Sequence, residues 1–390
     1  MCSQRGEPLL HLVDALADLR PVVVHELLFH ALTLEDLVLL LVGLLFDVLF
    51  GGLGCHARTL TPYHRREMRR ITVSPSAYRR VTALALIALV FIVVTGGAVR
   101  LTGSGLGCPD WPTCADERVV APWEYHAMVE FVNRTITGLV SAAVMLAVLG
   151  SAFRRPRRRD LVWLSVGLVA GVVGQIVLGG LTVLFELKPQ FVMAHFLLSM
   201  VLLANAVVLH HRAGAAEPTP GPGQPVVDRE LNLLGRAMLA AAVLVLVLGT
   251  VVTSSGPHGG DPEAERLPFF VPDVARLHGI AVMLFLVVSL VAVLRVSRAR
   301  YAPDRDGGPN AVAGLLRRGE VLLAVLVAQA GLGYVQYFTG VPALLVGVHI
   351  AGATAVWVAT LRFFLAMSAP AAAGGRPGGR RASEAVTSRG

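Results

Sequence analysis

Eight windows of about 20 mostly apolar residues constrain this chain more than any other feature of its sequence. They lie near residues 80–99, 129–152, 161–183, 191–211, 233–254, 274–296, 318–338 and 343–366. A helix needs about 20 apolar residues to cross the roughly 30 Å hydrocarbon core of a bilayer. At 55% hydrophobic and 15% charged residues, the chain has more apolar surface than one soluble core can bury. The sequence therefore predicts an all-α integral membrane protein with eight transmembrane helices.

The connections between these windows alternate in charge. Those after the second, fourth and sixth windows are rich in arginine, as in residues 154–159, whereas the others carry mostly carboxylates, as in residues 261–265. By the positive-inside rule, the arginine-rich connections and both termini are expected in the cytoplasm, with the chain in the cell membrane. The net charge of +8 thus follows from membrane topology, and the expected partner is the lipid bilayer, with no nucleic acid.

The two ends of the chain differ from the eight-window region. Residues 1–77 form an N-terminal extension, in which the apolar run Leu37–Phe46 is too short to span a membrane and predicts a surface or core helix. Met68, followed by two arginines, is favoured as the natural translation start. Residues 78–212 and 233–366 are expected to be two four-helix halves, joined by a proline-rich cytoplasmic linker at 213–232. A disordered cytoplasmic tail is expected at 367–390.

One spacing of polar residues occurs in both halves. The two sets are Gln175, Gly179 and His195, and Gln329, Gly333 and His349. An unpaired imidazole is costly in hydrocarbon, so intramembrane histidines mark functional sites. Because each half has an even number of spans, the halves are predicted to be parallel repeats related by an axis along the membrane normal. The expected fold is two four-helix bundles side by side.

In the second half, His278 and His349 lie at similar depth on different predicted helices. Two such imidazoles suit the axial ligation of a haem iron. Each alone is also compatible with a hydrogen bond to a neighbouring helix, but the pair favours haem ligation. Zinc is disfavoured, because no further ligand falls at the same depth.

The first half provides His195 but breaks the pattern on its second helix. Asn133 stands where a second histidine is expected, and His126 and Glu130 share its helical face. His126 is about 10 Å nearer the membrane surface than Asn133 at 1.5 Å per residue. Glu130 is interpreted either as a functional carboxylate or as the ion-pair partner of Arg134, four residues later.

Two of the four cysteines, Cys108 and Cys114, lie in the connection after the first window, on the side predicted to be oxidising. Their spacing, in a segment with two prolines, favours a disulfide over a metal site. Cys2 and Cys55 stay unassigned. His210 and His211 are expected at the lipid headgroups, and His258 is expected to be exposed.

Several long motifs resemble the haem A synthase family over residues 78–366. They are TGGAVRLTGSGLGCPDWPTC at 95–114, Glu-x-x-Asn-Arg at 130–134, GGLTV at 179–183, GPHGGD at 256–261 and the 329–349 block. The resemblance implies an eight-helix oxidoreductase that binds haem b as cofactor in its C-terminal half and receives haem O in its N-terminal half. It further implies successive hydroxylations that convert the C8 methyl of haem O into the formyl group of haem A, for cytochrome oxidase.

The resemblance also implies roles for individual residues. His278 and His349 match the haem b ligands, His195 matches a ligand of the substrate site, and Glu130 matches the acidic residue beside the substrate. Cys108 and Cys114 match the family's cysteine pair. Arg100 and Arg134 are candidates for holding haem propionates, a use suited to the guanidinium group.

Asn133 departs from the family pattern, because an amide oxygen is a poor iron ligand. The first-half haem is then held by His195 alone, which we favour, or takes its second ligand from His126 if the helix bends. The alternative functions are a non-enzymatic diheme electron carrier and, less well supported, a transporter. The asymmetry of Glu130 and Asn133 favours an enzyme. The expected partners are a haem O synthase as donor and an electron acceptor that the sequence does not identify, and a homo-oligomer is compatible with it.

Overall fold

The structure, a computed structural model, describes residues 72–115, 118–215, 229–299 and 308–368. The expectations for the segment up to residue 71, for Cys2 and Cys55, for most of the linker and for the tail after residue 368 concern residues outside these ranges. Within them the chain forms eight α-helices, all long and apolar enough to cross a membrane. These are α1 Pro75–Leu101, α2 Tyr125–Phe153, α3 Arg159–Leu184, α4 Pro189–Gly214, α5 Arg229–Ser255, α6 Val271–Ala299, α7 Gly308–Phe338 and α8 Ala343–Ser368. The predicted eight-helix membrane fold is confirmed.

The helices pack as two groups of four. In the first bundle, α1 packs on α2 and α4, and α3 packs on α2 and α4. The second bundle repeats these pairings with α5, α6, α7 and α8, and the bundles meet where α8 contacts α1 and α4 and where α4 contacts α5. An axis relating the two halves stays a prediction. In each bundle the diagonal helices, α2 with α4 and α6 with α8, face each other across the interior instead of packing closely.

The exterior of the bundles is apolar and exposed. Ile87 is 66% exposed and Leu344 is 78% exposed, while buried polar groups such as Thr354 and Ser165 lie inside. An apolar outer surface with polar groups kept inside is what a bilayer requires. Between the bundles, Trp357 of α8 donates its indole N–H to the backbone carbonyl of Met200 on α4 at 2.9 Å. The protein is therefore a multi-pass membrane protein whose two bundles are joined by buried contacts.

The corner between α3 and α4 has the same backbone as the corner between α7 and α8. Leu187 and Val341 both have φ of 59°, an uncommon conformation for residues other than glycine. The N–H of each donates to the carbonyl five residues earlier, Thr182 or Gln336, at 2.8 Å in both cases. Each corner precedes the histidine of its half by eight residues. The repeated spacing in the sequence thus corresponds to a repeated turn.

One end of the molecule gathers the connections α1–α2, α3–α4, α5–α6 and α7–α8, and we call it the disulfide end. There the N–H of Gly105 donates to the carbonyl of Gly260 at 2.9 Å, which joins the first and third connections. The side chain of Leu187 lies against both glycines. We call residues 104–115 the disulfide loop.

Candidate functional site

His278 on α6 and His349 on α8 face the interior of the second bundle from diagonal helices. Cε1 of His349 lies 3.1 Å from the position that a Cβ on Gly333 would take, and Cε1 of His278 lies 3.2 Å from the corresponding position on Gly249. The two imidazoles are near enough to interact electrostatically. The structure therefore brings together the two residues that the sequence paired.

The hydrogen bonds of these histidines explain part of the sequence repeat. Nε2 of Gln329 donates to the backbone carbonyl of His349 at 2.8 Å, which ties α7 to α8. Nδ1 of both imidazoles is buried and makes no hydrogen bond of ordinary geometry among the described residues, although the Val245 carbonyl interacts with His278. Only Cε1 and Nδ1 of each imidazole come within 4 Å of the glycine Cβ positions. Nε2 is thus the nitrogen farther from the glycine.

His195 on α4 has the same setting in the first bundle. Its Cε1 lies 3.4 Å from the Cβ position of Gly179, and Nδ1 is again buried without a hydrogen-bond partner in the described part of the chain. Gln175 donates to the His195 carbonyl at 3.0 Å and to the Ser199 hydroxyl at 2.7 Å. The Gln, Gly and His positions of the two halves therefore make matching contacts.

The diagonal position in the first bundle is occupied by an amide. Asn133 on α2 is half-buried, and its Oδ1 is buried with no hydrogen-bond partner among the described residues. Gly97 on α1, which parallels Gly249 in the sequence, faces the side chain of Ile350 at 3.2 Å and not an imidazole. The first bundle therefore presents one imidazole and one unpaired amide oxygen.

His126 is exposed at the disulfide end. Its Nδ1 hydrogen-bonds with the hydroxyl of Ser104 at 2.9 Å, and that hydroxyl also bonds with Thr102 at 2.9 Å. α2 runs from Tyr125 to Phe153 as one helix, so His126 and Asn133 are about two turns apart. The structure therefore keeps His126 at the disulfide end, away from Asn133.

Glu130 is 6% exposed and takes part in an ion pair. Its Oε1 accepts from Nε and Nη2 of Arg134 at 3.1 and 2.6 Å, and its Oε2 accepts from the N–H of Cys108 at 2.8 Å. Arg134 also donates to three backbone carbonyls of the disulfide loop, at 2.8–3.1 Å: those of Cys108, Asp110 and Thr113. The ion pair is one of the two interpretations that the sequence offered from spacing, whereas these loop contacts carry no sequence signal, because they depend on how the loop folds back.

Arg100, at the end of α1, reaches into the second half. Its Nε donates to the carbonyl of His258 at 2.6 Å and its Nη2 to that of Thr253 at 3.0 Å. The expectation that His258 is exposed is wrong: it is half-buried, and its Nε2 bonds with the carbonyl of Val341 at 2.8 Å. The GPHGGD motif thus joins the two halves at the disulfide end.

His210 also departs from its expected place at the lipid headgroups. Its Nδ1 hydrogen-bonds with the hydroxyl of Thr82 at 3.1 Å, within the packing of α1 against α4. Helical spacing does not show whether a residue near a helix end faces lipid or a neighbouring helix, which is why the sequence missed this contact.

Cys108 and Cys114 form a disulfide with an S–S distance of 2.04 Å, as the sequence predicted. They are 0% and 1% exposed, and they pack with Ala121 and Ala127 in a small apolar cluster of their own. Trp111, between the cysteines, lies over Gly180 of α3, with its ring carbons 2.9 Å from the Cβ position there.

Comparison with known proteins points to one family. The family described as COX15-CtaA, cytochrome oxidase assembly protein, matches residues 79–125 and 120–257. A "Heme A synthase" of Halalkalibacterium halodurans is 25% identical over 275 residues, covering 68% of this chain and 86% of the relative. One from Caulobacter sp. is 27% identical over 331 residues, covering 71% and 92% respectively. These matches support the haem A synthase family for this chain.

A third haem A synthase, from Geobacillus kaustophilus, is 30% identical over a shorter stretch of 145 residues, 33% of this chain and 44% of the relative. The two longer matches cover most of each haem A synthase, so they extend beyond a single half.

Proposed function

We propose that this chain is a haem A synthase that oxidises the C8 methyl of haem O to a formyl group by successive hydroxylations. As a member of its family it is an oxidoreductase of haem A biosynthesis. The observation that carries the finer proposal is the difference between the bundles: the second has two facing imidazoles, and the first has one imidazole opposite an amide. Because the two sites offer different side chains, they suit different occupants, a resident cofactor in one bundle and a substrate in the other.

The second bundle is proposed to hold haem b between His278 and His349. The donors fit, because both imidazoles face the interior from diagonal helices and neither Nδ1 makes an ordinary hydrogen bond with the described residues. Gly249 and Gly333 leave room for the imidazoles, since a Cβ at either position would crowd Cε1. Haem b bound there would supply one-electron transfer.

The first bundle is proposed to receive haem O. His195 would hold the substrate from α4, with its backbone fixed by Gln175. Asn133 on the opposite side offers no imidazole, so that side is left for the chemistry. Glu130, one turn from Asn133, is proposed as the carboxylate that accepts the protons released as the methyl group is oxidised.

Arg100 is proposed to bind a haem propionate. Two of its nitrogens are committed to carbonyls of the second half, while its Nη1 makes no hydrogen bond with the described residues. It is therefore a better candidate than Arg134, whose donors are taken by Glu130 and the disulfide loop.

Haem chromatography from cells that co-express this chain with a haem O synthase, the proposed donor, tests the function. Wild type should form haem A, and Glu130→Ala should lose it. Asp160→Ala is the matched control, because Asp160 also pairs with an arginine, Arg158, at 2.7 Å, but at the opposite end of the molecule. Haem O left unchanged by a well-expressed wild type would overturn the proposal.

The leading rival is an electron carrier with two haems. The matching contacts of Gln175 and Gln329 favour it, because a carrier needs two similar sites. Asn133 opposes it. Restoring the imidazole with Asn133→His separates the two functions: in an enzyme that needs an open side on the first-bundle haem, haem A formation should fall at least about tenfold. A carrier would make no haem A before or after the change.

A further inference from the structure

Arg134 makes more hydrogen bonds than an ion pair with Glu130 requires. A guanidinium has five N–H groups in a fixed planar fork. Arg134 makes five hydrogen bonds: two to Oε1 of Glu130 and one each to the carbonyls of Cys108, Asp110 and Thr113. Every donor of this side chain is accounted for, and three of them hold the disulfide loop.

The disulfide loop also contacts other elements at its end of the first bundle. It continues from α1, Gly107 lies against the backbone of His126 at the start of α2, and Trp111 lies over Gly180 of α3. Gly105 contacts Leu187 at the corner between α3 and α4. At the disulfide end of the first bundle, the loop therefore follows α1 and contacts α2, α3 and the corner that leads into α4.

We propose that Arg134 is a positioning residue that holds the disulfide loop closed over this end of the first bundle and keeps the Cys108–Cys114 bond out of reach of aqueous thiols. The carbonyls that it binds belong to Cys108 itself, to Asp110 and to Thr113, which precedes Cys114, so that Arg134 fixes both sides of the bridge. Glu130 contributes the second anchor through the N–H of Cys108. The proposal rests on these contacts and does not require the proposed haem chemistry.

The chemistry of a guanidinium explains why arginine is needed here. Lysine has three donors around a point charge and cannot present the planar fork that reaches a carboxylate and three carbonyls together. Reduction requires a thiolate to approach a disulfide sulfur, so its rate depends on access. With sulfurs at 0% and 1% residue exposure, access requires the loop to open and the bonds to Arg134 to break.

The rate of disulfide reduction in the folded, full-length protein tests this role. Cys2 and Cys55 are first blocked with N-ethylmaleimide. Dithiothreitol then breaks the S–S bond, leaves Cys108 and Cys114 as thiols and is itself oxidised to a cyclic disulfide. A maleimide of high mass reports the new thiols as a gel shift.

The disulfide of the Arg134→Gln variant should be reduced at least about tenfold faster than that of wild type, because several loop contacts are lost together. The Arg134→Lys variant should show a similar rate. Arg158→Gln is the matched control. Arg158 likewise pairs with a carboxylate, Asp160, and donates to two carbonyls, those of Arg212 and Ala215, but at the opposite end. Its reduction rate should stay within about twofold of wild type.

Hydrogen exchange separates a local role from general destabilisation. In Arg134→Lys, amide exchange should accelerate in the disulfide loop and remain unchanged in α7 and α8. If Arg134→Gln does not fold, Arg134→Lys provides both measurements. Wild-type reduction rates in the Arg134 variants, or equal acceleration in Arg158→Gln, would overturn the proposal.

Discussion

At the scale of single residues, the three interior histidines share one structural device. Each imidazole lies against a glycine of the neighbouring helix: His195 on Gly179, His278 on Gly249 and His349 on Gly333. A glycine lets an adjacent helix and a ring approach closely. The histidine's position then depends on the absence of a single methyl group.

Gly333→Ala tests this device. The new Cβ would lie 3.1 Å from Cε1 of His349, so the imidazole must shift by a few tenths of an ångström. Overpacking of this kind typically costs roughly 1–3 kcal/mol. We expect a lower thermal midpoint in detergent and a changed haem absorption spectrum.

Gly331→Ala is the control, two residues away on the same helix. Nothing lies within 4 Å of its Cβ position, so the change should be neutral or stabilise the helix by up to about 1 kcal/mol. Equal losses in the two variants would show that the contact with His349 is not what matters.

The sequence predicted that the three interior histidines mark functional sites, because an imidazole is costly to bury in hydrocarbon. It did not predict that Gln175 and Gln329 bind the histidine backbone carbonyls, since a 20-residue spacing says nothing about which atoms meet. It placed His258 wrongly for a similar reason. A polar loop residue is normally exposed, but this one is covered by the α7–α8 connection of the same half.

At the scale of elements, the apolar windows predicted the helices better than their ends. The window at 318–338 belongs to a helix that begins at Gly308, because a helix can include polar residues such as Arg317 that precede the apolar stretch. The disulfide loop was predicted only as a bridge between two cysteines. Its fold follows from contacts that no periodicity encodes.

Gly107→Ala tests the seating of this loop on α2. A Cβ on Gly107 would overlap the backbone carbonyl of His126, and neither backbone can move without disturbing the other. The expected result is a loss of more than about 3 kcal/mol of loop stability, or failure to form the disulfide. The fraction of oxidised Cys108, measured after thiol blocking, reports it.

Gly96→Ala serves as the comparison for this variant. Its Cβ position has nothing within 4 Å, and it lies inside α1, so normal disulfide formation is expected. A fully oxidised, stable Gly107→Ala protein would show that the loop can sit elsewhere.

At the scale of the whole molecule, the two bundles are joined at two depths. Arg100 bonds across the disulfide end, and Trp357 bonds to Met200 in the buried interface. Links at separate depths resist both sliding and rocking. The proposed haem sites are thereby held at a fixed separation, as electron transfer between them would require.

The orientation of the molecule in the membrane is a separate prediction. If the disulfide end faces outward, Val119→Cys, at a side chain 73% exposed, should react with a membrane-impermeant maleimide in intact cells. Arg157→Cys, exposed at the opposite end, should react only after the membrane is permeabilised. Both variants carry Cys2→Ser and Cys55→Ser, and the reverse pattern would place both termini outside.

The two corners at Leu187 and Val341 restrict how this chain can change in length. Each corner comes just before a helix and fixes where that helix starts. The site histidine of that helix follows the corner residue by eight positions. Inserting one residue between corner and histidine would rotate the imidazole by about 100° about the helix axis, away from the bundle interior. Inserting about seven residues would restore the angle but move the imidazole about 10 Å along the axis. The lengths of the stretches from Leu187 to His195 and from Val341 to His349 therefore set the direction in which each imidazole points. These stretches can accept substitutions, but an insertion or a deletion would move the histidine out of its site.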